Sequence, residues 1–138
     1  PDAVLDGLLS TLLAKPALGN VACVDRLRSM ARAVGCDAST RQIGACATRL
    51  DRRETLRTLP LEVPVLLIGG KDDKVCPPRC LQEMAGLLEQ RREAAGGAST
   101  APWRAVSFEG CGHLVPMEYP QKLHAEIASW ADSVRRFR

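Results

Sequence analysis

Two residues in this 138-residue chain stand where proton chemistry is possible, Asp73 and His113. Asp73 lies in "GGKDDKVCP", just past the apolar run "VPVLLIGG", and His113 lies in "FEGCGHLVP", just past a second apolar run ending at Phe108. A carboxylate that accepts the proton of one imidazole nitrogen fixes the ring's tautomer and steadies the imidazolium. The other nitrogen is then free to take a proton from a nucleophile. Taken singly, each residue also has a plain structural reading. Asp72 and Asp73 could cap a following helix or favour its dipole, and His113 could be a satisfied loop histidine. Their joint placement carries the functional reading, so the elements that would bring them together matter most.

The run "VPVLLIGG" is short, β-branched and closed by two glycines, which predicts a strand buried on both faces, as in a parallel sheet covered by helices. "PPRCLQEMAGLLEQRRE" opens with prolines suited to a first helical turn and repeats Leu81, Met84, Leu87 and Leu88 at helical spacing. "AAGGASTAP" reads as a surface loop, "WRAVSFE" as a second strand, and Pro120 opens a helix striped by Leu123, Ile127, Trp130, Ala131 and Val134. The expected unit is β-α-β-α with a right-handed crossover. Neighbouring strands lie about 4.8 Å apart, so residues just past their carboxyl ends can meet. Ligand and catalytic groups of parallel sheets collect at that edge. Gly110 and Gly112 suit the tight turn before His113.

The first sixty residues read as helices alone. "VLDGLLSTLL" pairs Val4/Leu5, Leu8/Leu9 and Leu12/Leu13 until Lys15-Pro16 ends the helix. Asn20 is a candidate cap for a second helix carrying Val24, Leu27, Met30, Ala31 and Val34 on one stripe up to Gly35. A third is expected from "DAST" through Ile43, Cys46 and Leu50, with a short helix in "RRETLRTLP". The division expected is a helical, cap-like segment over residues 1–60 and a parallel-sheet unit over 61–138.

"VPVLLIGGKDDKVCPP" and "FEGCGHLVPMEYPQKL" resemble the C-terminal part of the α/β-hydrolase superfamily. Gly70 and Asp73 match its glycine-x-x-aspartate turn, with Pro77 placed as the family often places it. Gly112 and His113 match its glycine-histidine turn, and Glu118-x-Pro120 resembles the lead into its last helix. The resemblance implies a partial α/β-hydrolase fold, with Asp73 as triad acid and His113 as triad base. "GACATRLDRRETLRTL" looks like the cap region running back into the main sheet. The family's nucleophile elbow, glycine-x-serine-x-glycine, is absent from the chain. "GASTA" at Gly97 to Ala101 is the nearest spelling, but its fifth residue is alanine. The resemblance therefore implies a nucleophile outside this chain and a chain that is inert alone. It also implies a partner: either the missing N-terminal half or a second copy meeting the open sheet edge. The substrate class implied is a small ester, lactone or related acyl compound.

Two other readings remain open on the residues. Cys76, Cys80, Cys111 and His113 would converge at the same edge and could hold structural zinc. A hydrolase-like fold can also serve purely for binding, since fold does not fix function. The bulk composition narrows the field further. A formal charge of +3 with only 4% aromatics offers no stacking platform for nucleic acid. No apolar run approaches a bilayer's thickness, so no membrane association is expected. No glycine-x-glycine-x-x-glycine follows either strand, so no dinucleotide or other cofactor is expected. Six cysteines could form disulfides, but Cys23 and Cys46 fall on apolar helical stripes, so reduced thiols and a cytoplasmic location are the expectation. His124, Trp103, Tyr119 and Trp130 are assigned to packing or surface roles.

Overall fold

The computed structural model describes residues 2–96 and 101–137. Five helices come first: α1 (Asp2–Leu12), α2 (Lys15–Leu18), α3 (Val21–Val34), α4 (Cys36–Ala47) and α5 (Arg53–Arg57). There follow β1 (Val65–Gly70), α6 (Pro78–Ala94), β2 (Trp103–Phe108), α7 (Val115–Glu118) and α8 (Pro120–Phe137). α1 stops at Leu12, ahead of Lys15-Pro16, and those two residues instead open the single turn of α2, where a missing N–H costs nothing in the first turn. Asn20 caps α3 by accepting from the Cys23 amide at 3.2 Å.

β1 and β2 pair in parallel, from Val65 opposite Trp103 to Gly70 opposite Phe108. Side chains alternate between the two faces of such a pair. On one face Ile68, Val106 and Phe108 pack with Val115, Tyr119 and Leu123 of α7, α8 and their junction. On the other, Leu81 of α6 lies against Gly69. The ladder is extended at its start, where Val65 N–H donates to Pro102 and Ala101 N–H donates to Leu61 at 2.8 Å. Buried Arg91 of α6 clamps the same entry by donating to the carbonyls of Leu59 and Pro60. A second core joins Leu5, Leu13, Ala17, Cys23, Val24 and Leu27 of α1 to α3, and Leu114 and Met117 pack against it.

Several expectations are corrected. β1 is only half-buried apart from Gly70, because among the described residues the sheet has two strands and neither is central. The third helix starts at Cys36 and stops at Ala47, short of Leu50. It buries no residue, and Cys46 is exposed where the periodicity placed it inside. Met30, Val34 and Ile127, on expected buried stripes, are also exposed. Cys23 is buried as the pattern suggested, and all six cysteines are free thiols. Most of "GASTA" lies outside the described residues. Among the described residues no helix is long and apolar enough to cross a membrane.

Candidate active site

The site forms because the turn after β2 presses into the end of β1. A Cβ on Gly70 would overlap the carbonyl oxygens of both Cys111 and Gly112, so only glycine admits that approach. The contact is hydrogen-bonded as well as close. Lys71 N–H donates to Phe108 and Asp72 N–H donates to Cys111, each at 2.9 Å. Gly110 supplies the positive φ of 64° on which the turn reverses. Residues forty apart in sequence thereby become neighbours.

Nδ1 of His113 lies 2.9 Å from Oδ2 of Asp73. With the carboxylate ionised, Nδ1 carries the proton and donates it, and the lone pair falls on Nε2. Asp73 is itself fixed. Its Oδ1 accepts from the Val75 and Cys76 amides, both at 2.8 Å, leaving Oδ2 for the imidazole. The helix-capping role does not apply, because α6 begins at Pro78 with no side-chain cap. Burial alone would push the Asp73 carboxyl up. The His113 hydrogen bond and the two amides outweigh burial and hold it below the usual carboxylate range. The Asp73 side chain is only 6% exposed, whereas that of His113 is 33% exposed, so the acid is sheltered and the ring reachable.

The His113 backbone is held from the opposite side. Its N–H donates to the Leu12 carbonyl at 2.9 Å, where α1 ends. Glu118, at the end of α7, accepts from three amides: Ala14 at 2.9 Å, Gly112 at 2.9 and 3.0 Å, and Leu114 at 3.1 Å. A Cβ on Gly112 would stand 2.7 Å from the Ala14 nitrogen, so the histidine turn and the α1–α2 junction lie backbone to backbone. Sequence reasoning placed Glu118 in the segment leading to the last helix and missed this grip. Beside Asp73 a cleft of about 330 Å³ opens between that junction and the turn after β1, lined by Ser10, Leu13, Lys15, Asp72 and Lys74.

The alternative four-residue zinc set of Cys76, Cys80, Cys111 and His113 does not assemble. Cys111 is fully buried with Sγ turned to the Gly112 carbonyl, and burial, assisted by the Glu118 charge, pushes its thiol up to about 12. Cys76 alone of the three cysteines joins Asp73 and His113 in a cluster. Cys80 sits half-buried in the first turn of α6, and His124 is exposed on α8, apart from the site. Tyr119 packs edge-on against Phe108 with ring centroids 6.3 Å apart, a packing role as expected.

No protein-family model matches the chain, and no curated protein matches it. Solved structures do. A thermophilic esterase from Thermogutta terrifontis, solved with malate bound, aligns at a TM-score of 0.73 and 23% identity, covering 97% of this chain and 44% of its own. The fold is a partial α/β-hydrolase fold. A serine hydrolase involved in carbazole degradation, the CarC enzyme, aligns at a TM-score of 0.51 and 22% identity, covering 69% of this chain and 31% of its own. The chain thus spans less than half the length of each of these two proteins. At such identities the likeness is one of fold, and the chemistry must be argued from the site.

Proposed function

We propose that this chain supplies the acid and base of a nucleophile–histidine–aspartate triad that hydrolyses an ester, lactone or related acyl substrate. Asp73 is the acid, His113 the base, and the nucleophile stands on polypeptide outside these residues. The observation that carries the reading is the 2.9 Å approach of Nδ1 to a carboxylate oxygen whose twin is already committed to two amides. That arrangement leaves the imidazole one tautomer and directs its basic nitrogen away from the aspartate. In the proposed reaction, Nε2 takes the nucleophile's proton as the acyl carbon is attacked and returns it to the leaving alcohol. Water repeats the cycle to release the acid, and Asp73 stays ionised throughout to stabilise the imidazolium.

The test is turnover of a chromogenic ester by this chain joined to a nucleophile-bearing segment. Asp73→Asn should lower kcat by about 10⁴-fold and His113→Ala by about 10⁶-fold, with the far-ultraviolet spectrum unchanged. The chain alone should show no turnover. A His113→Ala protein that hydrolyses the ester at the parent rate would remove the proposal.

A further inference from the structure

Ligand atoms of Asp73, Cys76 and His113 all lie within 4.8 Å of one another. We propose that these three residues form a site for one thiophilic divalent cation of the zinc class, bound through Oδ2, Sγ and an imidazole nitrogen. A thiolate, an imidazole and a carboxylate together match a borderline-soft ion with tetrahedral preference, and three protein ligands leave the fourth position to water. The distances need little change. Nitrogen and oxygen ligands at about 2.0–2.1 Å from zinc subtend roughly 3.3 Å at the tetrahedral angle, against 2.9 Å between Nδ1 and Oδ2. Sulfur at about 2.3 Å from the ion would stand about 3.5 Å from the nitrogen, which a rotation of the exposed Cys76 side chain can reach from within the 4.8 Å limit.

The outer contacts are already built. Oδ1 of Asp73 is held by the Val75 and Cys76 amides, so the other oxygen is oriented toward the ring and the thiol. The cysteine that supplies the ligand is reachable, whereas the thiol of Cys111, two residues before His113, is sealed in the core. Binding replaces the Cys76 thiol proton, which goes to solvent, and the ring proton moves from the coordinating nitrogen to Nε2, so the imidazole stays neutral. The consequence for catalysis rests on the triad reading above: a metallated imidazole can neither be oriented by Asp73 nor accept a proton, so the ion would switch the site off. The binding itself does not depend on that reading.

Cobalt(II) titrated into the chelator-treated chain tests the site directly. One equivalent should bind with tetrahedral visible bands and a near-ultraviolet sulfur-to-cobalt charge-transfer band, and zinc should displace it. Cys76→Ser and His113→Gln should each abolish the charge-transfer or tetrahedral signature. Each should also weaken cobalt binding by more than the roughly 10–100-fold that loss of an outer contact costs. Cys80→Ser should leave both spectrum and affinity in place, and circular dichroism confirms that each variant folds. A sulfur band that survives Cys76→Ser, one that vanishes in Cys80→Ser, or no cobalt bound at all would overturn the proposal. These results leave the triad untouched, and an active His113→Ala enzyme would leave the cobalt result untouched.

Discussion

One carboxylate at Glu118 satisfies three main-chain donors from two distant stretches, Ala14 on one side and Gly112 and Leu114 on the other. Replacing it with glutamine turns one acceptor into a donor facing amides that already donate. Glu118→Gln should therefore cost about 1.5–3 kcal/mol, read from urea unfolding, and should shift the Gly112 and Leu114 amide resonances together. Cys111 allows a second test at this scale. Its thiol titrates near 12 when folded because it is buried, against about 8.5 when free. The folded state therefore binds more protons between those values, and stability should fall as pH rises through that interval. Cys111→Ala should flatten that alkaline decline, and in the native chain an alkylating reagent should reach Cys36, Cys46 and Cys76 well before Cys111. Asp73 and His113 were legible in the sequence because each follows a strand pattern by a few residues. The role of Glu118 was not, since its Ala14 partner lies 104 residues away and local pattern carries no trace of it.

Among the elements, the end of β1 is the most exacting. Any side chain at Gly70 meets two backbone carbonyls that cannot swing aside, so the turn bearing His113 must retreat. Gly70→Ala should destabilise by about 1–3 kcal/mol or more and lengthen the Asp73–His113 contact. The expected readout is a lowered Tm together with loss of the downfield Nδ1 proton resonance. Gly69→Ala, whose Cβ would meet only the Leu81 methyl groups at 3.7 and 3.8 Å, is the matched control and should be far milder. β1, α6, β2 and α8 were readable because each has an unbroken period and a proline or glycine boundary. α2 and α7 were not, because four residues are too few to display a helical period. The stripes of α3, α4 and α8 were read as buried, yet Met30, Ile43 and Ile127 face outward. Periodicity reveals an apolar face but not what covers it.

For the molecule as a whole, a two-stranded parallel sheet with both outer edges unpaired among the described residues is a poor stopping point. Val4, Leu8, Ile43 and Leu50 are exposed on the helical part as well. We propose that the sheet is completed by a complementary segment bearing the nucleophile, or failing that by a second copy. Sedimentation of the isolated chain should show species heavier than 14.9 kDa, and adding the complementary segment should convert them into a one-to-one complex. A chain that stays monomeric at high concentration and takes up no such segment would count against this. Sequence alone could expose the open flank only through the family resemblance, because pairing across chains leaves no mark in one chain's periodicity.

The hydrogen bond from the His113 amide to the Leu12 carbonyl ties the end of α1 to the base's own main chain. Ala14 is anchored a step further on by Glu118, so the junction of α1 and α2 is tied to the histidine turn at two points. A displacement of that junction would therefore carry the main chain of His113 with it.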